Sequence, residues 1–223
     1  MLALLHTSPV HVPVFDALRD EVRPGLRLRH SVAEGLLDRA RAEGPEAVAG
    51  EVRAVLEGAV AEGARAVLCT CSTLGAVAEA ARPGVPVLRV DRPMAAAAVA
   101  TGARVTVVAA LRSTLRPTAG LIAEEAARAG AAVAVRTVLV PDAWEHFTAG
   151  DTARYERAVA TAVDTVTDTD VVVLAQASMA PAERLVTTSV PVLSSPRPGF
   201  AAAADAAEGG GGTSRPSDGT ARG

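Results

Sequence analysis

The sequence predicts an α/β protein of two pseudo-symmetric, doubly wound lobes, each a mostly parallel sheet flanked by helices, with a ligand cleft between them. Three observations carry this expectation. Short Val/Leu/Ala runs alternate with longer segments of helical period, the pattern of a parallel sheet covered on both faces. Two stretches repeat: Ala64-Arg65-Ala66-Val67-Leu68 ending in Cys69-Thr70-Cys71-Ser72, and Asp170-Val171-Val172-Val173-Leu174 ending in Ala175-Gln176-Ala177-Ser178. Each is followed by a Pro-Val-Leu strand, at Pro86-Val87-Leu88 and Pro191-Val192-Leu193, an offset of roughly 105 residues that suits two related lobes. Finally, the residues that close the strands are small, polar and mostly uncharged, and ligands of open parallel sheets bind beyond the carboxyl ends of their strands.

In chain order, the apolar run at 2–6 opens the first sheet, and a helix from Asp16 to Val22 leads to a strand near 27–32. Glu46 to Glu62 carries Ala, Leu and Val three and four apart and precedes the strand at 64–69. A short helix from Leu74 to Ala81 and a strand at 86–90 complete the first set. The second repeats it: a strand at 104–109, a helix from Thr114 to Ala129, a strand at 132–139, a helix from Thr152 to Thr165, a strand at 170–175, a helix from Met179 to Val186 and a strand at 191–193. The helices are long enough for βα crossovers. The first lobe is therefore expected to span 1–94 plus about 197–207 and the second 95–196, with a Gly/Ser/Pro-rich disordered tail at 208–223.

Composition removes several classes of function. All 22 basic residues are arginine, against 25 acidic ones, for a net charge of −3, so the chain carries no basic footprint for nucleic acid. Five scattered aromatics (Phe15, Trp144, Phe147, Tyr155, Phe200) provide no platform for stacking bases. The weakly polar stretch from Pro93 to Gly102 is too short for a membrane span. Met1 to Leu5 lacks the basic region of a signal peptide, and a cytoplasmic location is expected. Cys69 and Cys71 are too close for an ordinary disulfide and too few for a four-ligand zinc site, which leaves at least one free thiol. No Gly-rich dinucleotide fingerprint, P-loop or Gly-x-Ser-x-Gly elbow is present, so nicotinamide and nucleotide chemistry are disfavoured and hydrolase chemistry is the weakest reading.

The strand-end residues are the candidates for chemistry. Ser72, Thr73, Ser113, Thr114 and Ser178 each stand where an N-cap would, and together with Thr7 and Ser8 at the end of the first strand their hydroxyls and the neighbouring helix N-termini suit a carboxylate. Cys71 stands at a strand end just before a helix, a place that favours the thiolate, whereas Cys69 lies within the strand and reads as core. His6 ends the first strand and is a candidate second acid or base. His11, His30 and His146 have no partner that the sequence identifies.

These residues resemble the aspartate/glutamate racemase superfamily, which also holds hydantoin racemases, maleate isomerases and arylmalonate decarboxylases. The likeness covers about 2–200 and is carried by Leu4-Leu5-His6-Thr7, Cys71-Ser72-Thr73-Leu74-Gly75, Val90-Asp91-Arg92-Pro93-Met94, Ser113-Thr114-Leu115 before Pro117-Thr118, and Leu174-Ala175-Gln176-Ala177-Ser178-Met179-Ala180. The resemblance implies an active site between the lobes, no cofactor, and a thiol from each lobe on opposite faces of a substrate α-carbon. Cys71 matches the first thiol. Gln176 falls where the second should be, with Ala177 beside it, and neither exchanges a proton at neutral pH. A single-cysteine enzyme acting on a small carboxylic or amino acid is therefore expected, with Gln176, Ala177 and Ser178 among the substrate-binding residues. A decarboxylase-like lyase and a non-catalytic carboxylate-binding protein stay open beside the racemase or isomerase, as does a homo-oligomer. Arylmalonate decarboxylases, as the resemblance implies, keep the second-lobe thiol instead, which would put the proton donor here on the opposite face.

Overall fold

The computed structural model describes residues 1–209. The chain forms two four-stranded parallel sheets. In the first, β1 (Leu2–His6), β2 (Leu28–Val32), β3 (Ala66–Cys69) and β4 (Val87–Arg89) lie in the order β2-β1-β3-β4. In the second, β5 (Arg104–Ala109), β6 (Ala134–Leu139), β7 (Val171–Leu174) and β8 (Val192–Leu193) lie in the order β6-β5-β7-β8. The two orders are the same order, so the sequence repeat is a structural one. Register makes the equivalence residue by residue. The Thr70 N–H donates to the Leu5 carbonyl and the Ala175 N–H to the Val108 carbonyl, which pairs Cys71 with Gln176 and Thr7 with Ala110.

The sheets hold because their central strands are largely apolar on both faces, with Thr106 of β5 a buried polar exception. On one face of the first sheet, Ala3, Leu5, Val67 and Cys69 pack against α2 (Glu34–Glu43), α3 (Ala49–Ala61) and α4 (Gly75–Ala80). On the other, Leu2, Leu4, Ala66 and Leu68 meet Phe15 of α1 (His11–Val22) and Phe200 of α9 (Pro196–Gly209). The last helix thus returns across the molecule to cover the first sheet. Gly199 allows this approach, because a Cβ there would strike the Val90 carbonyl. In the second sheet, Val105, Val107, Val171 and Val173 pack with α5 (Arg92–Thr101) and α6 (Arg112–Ala129). Val108, Val172 and Leu174 pack with Tyr155, Val159 and Val163 of α8 (Thr152–Asp164), where α7 (Ala143–Thr148) adds Trp144 and Phe147.

All eight expected strands form, most of them one or two residues shorter at an end. The helices differ more. α1 starts at His11, since Pro13 fits a first helical turn, and α2, α5, α7 and α9 arise where no helix was assigned. Pro45–Val48 is a 3₁₀ turn before α3, and the segment expected as a helix from Met179 is a 3₁₀ segment, Ala177–Arg184, with Pro181 inside it. Glu208 and Gly209 close α9, and the remainder of the expected disordered tail lies outside the described residues. No helix among the described residues is long and apolar enough to cross a membrane.

Candidate active site

A sheet of order β2-β1-β3-β4 reverses its winding between β1 and β3, and this is where open α/β sheets leave a crevice at their carboxyl edge. The segments after β1 and β3 face those after β5 and β7 across a single cleft of about 390 Å³. Thr7 and Ser8 follow β1, Cys71 and Thr73 follow β3, Leu111 and Thr114 follow β5, and Gln176, Ala177 and Ser178 follow β7; all line the cleft. Of the residues expected at the site, His6, Ser72 and Ser113 do not. Ser72 Oγ donates to the Ala175 carbonyl at 2.8 Å, a bond that ties one lobe to the other. Ser113 Oγ is buried without a partner.

His6 is fully buried and both its ring nitrogens are engaged. Thr70 Oγ1 donates to the Leu5 carbonyl at 3.1 Å, so it accepts from His6 Nδ1–H at 2.8 Å. That tautomer leaves His6 Nε2 as acceptor from His30 Nδ1–H, again at 2.8 Å. Burial, with His30 and His11 nearby, lowers the His6 pKa to about 3. The imidazole is a neutral strut beneath the cleft, out of reach of a ligand.

Cys71 is partly exposed in the cleft, and Cys69 is fully buried; both thiols are free. Burial pushes the Cys71 thiol up, while the Thr7 hydroxyl and the backbone N–H groups of Leu74 and Thr73 work against the rise. The expectation that the following helix favours the thiolate is corrected: α4 has only six residues and begins at Gly75, and burial outweighs these donors. Cys71 therefore rests as a thiol, a form that gives a proton before it takes one.

The loop that holds the thiol rests on a buried ion pair. Arg89 Nε and Nη2 each donate to an Asp91 carboxylate oxygen at 2.9 Å, and neither residue is more than 2% exposed. A Cβ on Gly75 would lie 2.6 Å from Arg89 Nε, so only glycine lets the guanidinium pass under the start of α4.

The walls around Cys71 mix hydroxyls and the Gln176 carboxamide with apolar side chains, Leu37, Leu111, Trp144 and Phe147 among them. Formal charge at the cleft comes from Glu34, Asp38 and Arg41 on α2, all exposed, and His11 is held neutral by burial, its pKa lowered to about 4. Ser178 Oγ and Tyr155 OH share a hydrogen bond of 2.8 Å, and burial keeps the phenol protonated by pushing its pKa up. α2 and α7, which adds Trp144, Phe147 and Thr148, were not anticipated. Signals for both exist: Leu36, Leu37 and Ala40 at helical spacing before Gly44, and Trp144 and Phe147 three apart before Gly150.

Two repeated α/β lobes that close on one thiol and a ring of neutral hydrogen-bond donors define a two-lobed protein of the racemase type. The family model described as Asp/Glu/hydantoin racemase matches residues 12–204, and the chain belongs to that family. Among solved structures, it is similar to an aspartate racemase from Picrophilus torridus, with TM-score 0.67 and 15% identity over 93% of this chain and 94% of that one. It is likewise similar to a glutamate racemase from Bacillus anthracis, with TM-score 0.64 and 17% identity over 90% and 78% of the two chains. An arylmalonate decarboxylase aligns at TM-score 0.54 and 20% identity over 96% and 95%. No curated protein matches the sequence.

Proposed function

We propose that the chain is a cofactor-independent enzyme acting at the α-carbon of a small carboxylate, with Cys71 as its one proton-transferring group. The observation that carries this reading is the pairing across the cleft. The thiol of Cys71 faces the ligand space from one lobe, and the equivalent position of the other lobe holds the carboxamide of Gln176. Such a site delivers a proton to one face only.

The economical reaction is decarboxylation of a substituted malonate. Loss of CO₂ leaves the electron pair of the broken C–C bond on Cα, delocalised into the remaining carboxylate as an enediolate. Hydroxyls of Thr7, Ser8, Thr73, Thr114 and Ser178 stabilise those oxygens. The Sγ–H proton then passes to Cα, and the resulting thiolate recovers a proton from water. Isomerisation of a small acid can use the same thiol as base and then as acid on one face, whereas racemisation needs a second base on the opposite face, which Gln176 does not supply. Binding without catalysis is the second reading, supported by the raised pKa of the thiol and the missing second one.

Incubation with phenylmalonate, 2-methyl-2-phenylmalonate and a panel of dicarboxylates and amino acids in D₂O tests this. Deuterium enters at Cα in a product of one hand, and Cys71→Ala or Cys71→Ser slows it at least about a hundredfold. Full activity in either variant overturns the assignment, and binding without any deuterium incorporation favours the second reading.

A further inference from the structure

Gln176 occupies the place equivalent to Cys71, and its side chain is tied down at one end. Its Oε1 accepts from the Ala110 N–H at 2.7 Å and from the Leu111 N–H at 3.1 Å, the two amides that lead into α6. Only the carbonyl end of a carboxamide can accept two N–H groups, so the orientation of the side chain is fixed and its NH₂ points the other way. Gln176 is only 9% exposed and lines the cleft. Among the described residues Nε2 makes no hydrogen bond, yet it is absent from the polar atoms sealed off from solvent. A donor so placed in a nearly buried side chain calls for an acceptor in the cleft.

The tie also carries charge. α6 is 18 residues long, and the N-terminus of such a helix bears about half a positive charge on its free N–H groups. Hydrogen bonds in series polarise one another, so two amides pulling on the carbonyl oxygen make the NH₂ a stronger donor. In the first lobe the corresponding neighbour, Thr7, bonds instead to the reactive sulfur.

We propose that Gln176 is the anion-recognition residue of the second lobe, donating from Nε2 to a carboxylate oxygen of the ligand and passing the N-terminal charge of α6 into the cleft. This rests on the reading of the cleft as a carboxylate site and adds to it a division of labour. The lobe that carries Cys71 moves the proton, and the lobe that carries Gln176 holds the anion. The ligand class follows: acids whose ionised carboxylate turns toward the second lobe, and not their esters or amides.

Gln176→Glu separates holding the anion from holding the fold. A glutamate at this position still accepts both backbone N–H groups, and those two donors keep it ionised, but its second oxygen turns a negative charge toward the ligand where a donor had been. Calorimetric titration with phenylacetate, which keeps the carboxylate but has no CO₂ to lose, is run on the full-length wild type, on Gln176→Glu and on Cys71→Ala. Cys71→Ala binds within about threefold of wild type. Gln176→Glu binds at least about tenfold more weakly, the range expected when a hydrogen bond to a charged group is lost, with a Tm no lower than wild type. Wild-type affinity in Gln176→Glu overturns the proposal and leaves the carboxylate reading standing. A parallel loss in Tm also overturns it, because Gln176 is then only a brace. No binding to the wild type overturns both.

Discussion

Removing the carboxylate of Asp91 tests how the reactive loop is supported. Asp91→Ala leaves the Arg89 guanidinium 2% exposed with neither of its two 2.9 Å acceptors. Breaking one side of a buried pair in this way costs about 3–5 kcal/mol, a large part of the roughly 5–15 kcal/mol that holds a typical domain together. Replacing both partners, in Arg89→Met/Asp91→Leu, removes the stranded charge as well as the pair and comes much closer to wild type. Gly75→Ala presses on the same guanidinium from above, its Cβ built 2.6 Å from Nε, and costs about 1–3 kcal/mol because the doubly bonded arginine has nowhere to move. Urea titrations followed by circular dichroism give the three values. A single Asp91→Ala cost below about 1 kcal/mol, or a double variant no more stable than the single one, would refute the reasoning.

At pH 7 the thiol of Cys71 alkylates with iodoacetamide more slowly than free cysteine, because burial raises its pKa and reduces the reactive thiolate; Cys69, fully buried, stays unmodified. Alkylation at pH 7 faster than free cysteine contradicts an acid resting state. The acid form persists through neutral pH and is lost only as the pH rises through the raised pKa, so turnover measured against pH stays flat through neutrality and falls on the alkaline side. His6 acts on stability with the opposite sense. Its folded pKa, near 3, lies below the unfolded value of 6.5, so the unfolded chain takes up a proton first and stability declines as pH falls between those values. The urea midpoint is lower at pH 5 than at pH 7.5, and His6→Gln, which keeps a donor and an acceptor, loses part of that decline; an identical decline in the variant contradicts the buried neutral assignment.

What the sequence made legible follows from where side chains have only one environment. β1 and β7 are apolar on both faces, β5 is apolar on one and partly so on the other, and all three read as strands to within a residue or so; the repeated strand ends placed Cys71, Thr73, Gln176 and Ser178 on one cleft. α2 and α5 were illegible for opposite reasons. α2 is mostly polar and keeps a narrow apolar stripe, whereas α5 is so rich in alanine that no face stands out from another. His6 shows the limit at the site. A histidine at a strand end reads as an acid or base, and only the positions of Thr70 and His30, 64 and 24 residues away in the chain, reveal that both its nitrogens are already bonded. The same holds for Ser72, whose hydroxyl is spent on a carbonyl 103 residues on.

The helix that returns to cover the first sheet bears on how the protein is born. During synthesis, Leu2, Leu4, Ala66 and Leu68 leave the ribosome long before Phe200, Ala203 and Ala204, which will cover them. The N-terminal half therefore waits with a greasy flank uncovered while more than a hundred further residues are made, and it becomes whole only when the last helix arrives. A truncation that removes α9 would injure the oldest part of the nascent chain and not the newest, and the two halves, alike as they are, cannot be separated by a single cut.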